Sequence, residues 1–130
     1  MKQILVVDDE PHILEGLRHL LRTPERQIAV AGSAKEALIL IAKHLPDLLI
    51  TDVMMPEMSG LDLVSELRAD ARTRHLPVII LTAKGQAQDA TMAQEVWGAT
   101  VMAKPFQPRK LRELVEYSLA QNTCTPQESK

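Results

Sequence analysis

Aromatic residues are almost missing from this chain: one Trp, one Tyr and one Phe make up 2% of 130 residues. Without rings, the core must be filled by aliphatic side chains, which favours Val/Ile/Leu strands under Leu/Ala helices over an all-β sandwich. Cysteine occurs once, as Cys124 in a polar C-terminal segment, so no internal disulfide can form. A single Cys outside any metal-ligand cluster points to a reducing, cytoplasmic compartment. No long basic run is present and the net charge is -2, which argues against sequence-independent nucleic-acid binding by this chain. The first apolar run, residues 4–7, stops at two aspartates and is too short for a signal peptide or a membrane span. His12, His19, His44 and His75 show no ligand spacing, and no Ser/His/Asp or Cys/His arrangement suggests hydrolytic nucleophilic catalysis. At 45% hydrophobic and 25% charged residues, the composition is that of one water-soluble globular domain.

What is present is a repeated pattern of apolar runs ending on reactive polar residues. Residues 4–7 run into Asp8 and Asp9, residues 47–51 into Asp52, residues 78–81 into Thr82, and residues 101–103 into Lys104. Strands are expected at 3–8, 27–31, 47–52, 78–82 and about 99–103. Helical stripes lie between them. Ile13, Leu14, Leu17, Leu20 and Leu21 follow the acids and proline at 9–11, with those acids expected in the first turn. Ala34, Ala37, Leu38 and Ile41 follow Ser33 as N-cap, and Leu61, Val64 and Leu67 follow Ser59 and Gly60. A weaker helix at 86–97 carries Ala90, Ala93 and Trp97, and a last one carries Leu111, Leu114, Val115 and Leu119. Residues 122–130 are polar and without periodicity, so the domain is expected to occupy 1–121 and the remainder to be a disordered tail or linker stub.

Five strands alternating with five helices imply an α/β fold, a doubly wound five-stranded parallel sheet covered on both faces. Ligands of such sheets bind beyond the carboxyl ends of the strands, where the strand order reverses. Asp8, Asp9, Asp52, Thr82 and Lys104 would all stand on that edge. Three carboxylates there repel one another and call for a compensating cation, either Lys104 or a hard divalent metal. A carboxylate can also attack phosphorus, and phosphoryl transfer needs mainly positioning and charge neutralisation. Taken singly, Asp8 and Asp9 could be helix caps, Asp52 a turn residue, Thr82 a capping hydroxyl and Lys104 a solvated charge. Together, those readings would each have to place a residue on one edge by accident.

Four segments resemble the response-regulator receiver domain, of chemotaxis type in two-component signalling: Val6-Val7-Asp8-Asp9-Glu10-Pro11, the run from Thr51 and Asp52 through Met54, Met55, Pro56, Glu57 and Met58 to Gly60, Leu81-Thr82-Ala83, and Lys104-Pro105-Phe106. The resemblance covers residues 3–121 and implies a flavodoxin-like sheet of strand order 2-1-3-4-5. It implies that Asp52 is the phosphoacceptor, taking a phosphoryl group from a phosphohistidine on a sensor histidine kinase or histidine phosphotransfer protein. Asp8, Asp9, Asp52 and the main-chain carbonyl of Met54 would then hold Mg²⁺ or Mn²⁺. Thr82 and Lys104 would each meet a phosphoryl oxygen, and the bond between Lys104 and Pro105 would be cis, a geometry essentially confined to proline.

A downstream protein target would read the face built from the 86–97 helix, the fifth strand and the last helix. Many receivers carry Tyr or Phe where this chain has Val101, and residues 98–104 are one shorter than the commonest pattern. A valine cannot make the same inward swing, so an aromatic-coupled switch is not expected. Met54 and Lys84 border the site and would tune the lifetime of the aspartyl phosphate. The chain would promote only its own phosphorylation and dephosphorylation, without being an enzyme toward other molecules. An alternative is the receiver module of a longer regulator with a C-terminal DNA-binding or enzymatic output domain. A phosphatase-like hydrolase stands well behind, because every acid of the site already has an acceptor or metal role.

Overall fold

The structure, a computed structural model, describes residues 2–55, 57–82, 98–103 and 107–128, with the side chains of 121–128 outside that description. Its elements run β1 (Lys2–Val7), α1 (Pro11–Leu21), β2 (Arg26–Ala31), α2 (Ala34–Lys43), β3 (Leu48–Asp52), α3 (Gly60–Ala69), β4 (Val78–Thr82), β5 (Thr100–Ala103) and α4 (Pro108–Glu128). The expected helix over 86–97, with Ala90, Ala93 and Trp97, lies outside the described residues, as do Pro56, Lys84, Lys104, Pro105 and Phe106.

All strands are parallel and lie in the order β2-β1-β3-β4-β5. Alternation along each buried strand feeds two separate cores. Leu5, Val7, Leu49, Val78 and Ile80 face Ala34, Ala37 and Ile41 of α2 and Leu63, Val64 and Leu67 of α3. Ile4, Val6, Leu48, Ile50, Ile79 and Leu81 face Leu14, Leu17 and Leu21 of α1 and Leu111, Val115 and Leu119 of α4. A strand buried on both faces reads as an unbroken apolar run, which is why these segments lack polar alternation.

Three local expectations are corrected. Pro11 begins α1, and its fixed φ suits the first helical position, so Asp9 and Glu10 stand ahead of the helix and no acid lies in its first turn. In α3 the inward stripe is Gly60, Leu63, Val64 and Leu67. Leu61, one residue round from Gly60, is only partly buried. Finally, α4 continues to Glu128 through most of the segment expected to be a disordered tail. Among the described side chains of α4, the last in the core is Leu119.

Candidate functional site

The register between β1 and β3 decides where the acids meet. Ile4 pairs with Leu48 and so on to Val7 with Thr51, so the next residues outward are Asp8 and Asp52. The register is also pinned at the opposite end of the strands. There the Gln3 N–H donates to Asp47 Oδ2 at 2.8 Å, and the Asp47 N–H donates to the Gln3 carbonyl at 2.7 Å. β1 leads to β2 on one side while β3 lies on the other, so Asp8 and Asp52 border the reversal of strand order, where such sheets bind ligands. One carboxylate oxygen each from Asp8, Asp9 and Asp52 falls within 4.8 Å of the others.

Each acid is held differently. Asp8 is 2% exposed, and its Oδ1 accepts the Glu10 N–H at 3.0 Å, a side-chain turn that bends the chain from β1 into α1. Asp9, within that turn, is exposed. Asp52 is 9% exposed and its Oδ1 accepts the Val53 N–H at 2.9 Å. Thr82 is buried at the end of β4, the strand beside β3, in a register that places Asp52 opposite Leu81 and Thr82 opposite Ala103. Lys104, which follows Ala103, lies outside the described residues.

The structure thus gathers Asp8, Asp9 and Asp52, with Thr82 one strand away. Met54 is 64% exposed on the loop after Asp52, whereas Met55 and Met58 pack against the core. Val101 is half-buried and packs against the core on the α2 and α3 side of the sheet. Thr51 and Gly60, which stand in the sequence only as members of the motif around Asp52, hold the main chain there. Thr51 Oγ1 donates to the Asp52 main-chain carbonyl at 3.0 Å, and the Gly60 N–H donates to the Val53 carbonyl at 2.9 Å. The available signal was a hydroxyl in a fully buried strand, and a glycine at the start of a helix that Ser59 already capped.

Among the described residues, the groups gathered on this rim are carboxylates with a hydroxyl one strand away, a set suited to a hard cation and to nucleophilic attack on phosphorus. Residues 4–116 match the response regulator receiver domain family. Response regulator Rre1 of Synechocystis sp. is 36% identical over 123 residues, covering 94% of this chain and 53% of that protein. The DNA-binding response regulator MtrA of Mycolicibacterium smegmatis is 36% identical over 127 residues, covering 98% of this chain and 54% of that protein. A response regulator receiver domain protein from Clostridium thermocellum superimposes with a TM-score of 0.87 at 30% identity, covering 95% of this chain and 98% of that one. The chain belongs to the response-regulator receiver domain family of two-component signalling proteins. It spans about half the length of these curated relatives. Among the described residues no helix is long and apolar enough to cross a membrane.

Proposed function

We propose that this chain is a phosphorylation-dependent switch in which Asp52 accepts a phosphoryl group from a phosphohistidine on a sensor kinase or histidine phosphotransfer protein. The observation that carries this reading is the gathering of Asp8, Asp9 and Asp52 within 4.8 Å at the reversal of strand order. A hard divalent cation fits the donor set, which offers carboxylate oxygens and neither His nor Cys. Asp8, Asp9, Asp52 and the Met54 main-chain carbonyl are its proposed holders. When bound, Mg²⁺ or Mn²⁺ offsets the repulsion among the carboxylates and neutralises charge on the phosphoryl oxygens.

The chain's own part is positioning. A carboxylate oxygen of Asp52 forms a bond to phosphorus as the bond from phosphorus to the donor nitrogen breaks; the donor ring reacts with its second nitrogen protonated, so the electron pair of the broken bond leaves on a neutral imidazole. The Thr82 hydroxyl donates to one phosphoryl oxygen and Lys104 pairs with another. The added charge shifts a two-state equilibrium that the face around β5 and α4 reports to a downstream protein. Val101 offers no ring to that change, so switching proceeds through Thr82 and the packing of β5. The chain catalyses nothing beyond its own phosphorylation and dephosphorylation. Its proposed compartment is the cytoplasm, with residues 1–121 as the receiver unit and 122–130 as a linker stub.

In a second reading, the chain is the receiver module of a longer regulator. The specific observation in its favour is that it spans only 53–54% of the curated relatives described above, one of them DNA-binding. In both readings Lys84 adds positive charge near the acyl phosphate and exposed Met54 limits the approach of water. Lys84→Ala and Met54→Asn are each expected to change the dephosphorylation rate; two unchanged rates would remove both residues from that role. The acceptor itself is tested by mixing the chain with a phosphorylated histidine phosphotransfer protein. Label should move to the chain only with Mg²⁺ and not to Asp52→Asn, and label arriving without metal would contradict the reading.

A further inference from the structure

The peptide unit joining Asp52 to Val53 is held at both of its polar groups. Its carbonyl oxygen accepts the Thr51 hydroxyl at 3.0 Å. Its N–H donates to Oδ1 of the Asp52 carboxylate at 2.9 Å and to the Leu81 carbonyl at 3.3 Å. The first helical residue of α3 closes over the same unit. A Cβ on Gly60 would collide with the Asp52 carbonyl oxygen, and would stand 2.9 Å from the Asp52 carbonyl carbon and 3.2 Å from Thr51 Oγ1. The Gly60 N–H meanwhile donates to the Val53 carbonyl at 2.9 Å, so two successive peptide units are fixed by one helix end.

Thr51 is fully buried in a strand that is otherwise apolar up to Asp52. A hydroxyl in such a place is costly unless bonded, and here its bond goes to the main chain of the acceptor. A peptide plane held at its carbonyl resists rotation, so its N–H keeps one direction. That N–H in turn holds one oxygen of the Asp52 side chain.

We infer that Thr51 and Gly60 are positioning residues for phosphoryl transfer. The Thr51 hydroxyl and the bare Cα of Gly60 clamp the peptide unit between Asp52 and Val53, and the Val53 N–H passes that constraint to the carboxylate. Neither residue touches the phosphoryl group. The inference rests on Asp52 being the acceptor, as proposed above, and adds how the acceptor is aimed. Small errors of aim are expensive in reactions that depend on a preset attack geometry.

The test compares wild type with Thr51→Val, Thr51→Ser and Gly60→Ala. The rate of phosphoryl addition from acetyl phosphate at saturating Mg²⁺ is read by intact mass, and hydrogen exchange at the Val53 amide by NMR. Thr51→Val is expected to keep a cooperative melt, to react about 10-fold more slowly, and to exchange the Val53 amide faster. Thr51→Ser, which keeps the hydroxyl, restores both. A Thr51→Val protein that matches wild type in rate and exchange overturns the inference. So does a Thr51→Ser protein as slow as Thr51→Val, which would make the methyl group the working part. Gly60→Ala, if folded, is expected to share both defects, and a folded Gly60→Ala with neither removes Gly60 from the clamp. If it does not fold, the Thr51 pair decides. Should wild type take up no phosphoryl group, the acceptor reading fails, and Val53 exchange in the Thr51 pair still decides whether the clamp exists.

Discussion

Asp8 and Asp52 are acids at 2% and 9% exposure, and their immediate neighbours explain how the fold keeps them there. Each offers an oxygen to a backbone N–H close by in sequence: Glu10 for Asp8 and Val53 for Asp52. Bonds from neutral donors to ionised acceptors are among the stronger ones, and they fix direction as well as charge. Of the described glycines, Gly60 is the most sensitive to size. An added methyl there meets main-chain atoms, which have little room to yield, unlike the end of a flexible side chain. Gly60→Ala is therefore expected to lower stability by about 1–3 kcal/mol, read by denaturant titration. A stability within error of wild type would mean that α3 can lift from the end of β3 at no cost.

The element that carries the site's periphery is the loop between β3 and α3. It contains a non-glycine residue in the left-handed region, Glu57 at φ 70°. Its carboxylate lies 3.6 Å from the Lys35 ammonium of α2, an exposed pair that contributes little by itself. Two residues beyond Glu57 stands the N-cap of α3, Ser59, which forms a capping box with Asp62. A β-branched residue tolerates this region poorly, so Glu57→Val is expected to cost about 1–2 kcal/mol while Glu57→Asn costs nothing measurable. Equal thermal melts for the two variants would contradict this account of the loop. At the far end of α3, Arg68 donates to the Leu76 carbonyl at 2.8 Å and Thr73 to the Leu67 carbonyl at 2.6 Å. Burial pushes the Arg68 guanidinium down from its ordinary value. Both ends of α3 are thus tied, which keeps its first residue pressed on Asp52.

At the scale of the molecule, two cores sandwich one sheet, and α4 is tied to the opposite end from the acids. Arg26 is buried at the start of β2, donating to the Leu21 carbonyl at 2.7 Å and to Glu116 of α4 at 3.1 Å. The positions of the strands, and so the ends on which Asp8, Asp9 and Asp52 stand, were legible in the sequence because apolar runs and their ends are local signals, whereas the order of the strands came only with the family resemblance. Leu61 and Leu63 of α3 are both apolar at spacings that suit Val64 and Leu67, so the sequence offered either as the inward residue; Leu63 is fully buried while Leu61 packs at the margin of the same core. The clamp on Asp52 was hidden for a similar reason: a Thr in a strand and a Gly at a helix start are ordinary until their main-chain contacts are known.

The central claim is that one rim gathers a nucleophilic carboxylate with two more acids beside it. It is tested most directly by intact mass after incubation with acetyl phosphate and Mg²⁺. The account predicts a single added phosphoryl group on wild type, absent in Asp52→Asn and absent when the metal is chelated. An Asp52→Asn protein that still gains the same group to the same extent would contradict it.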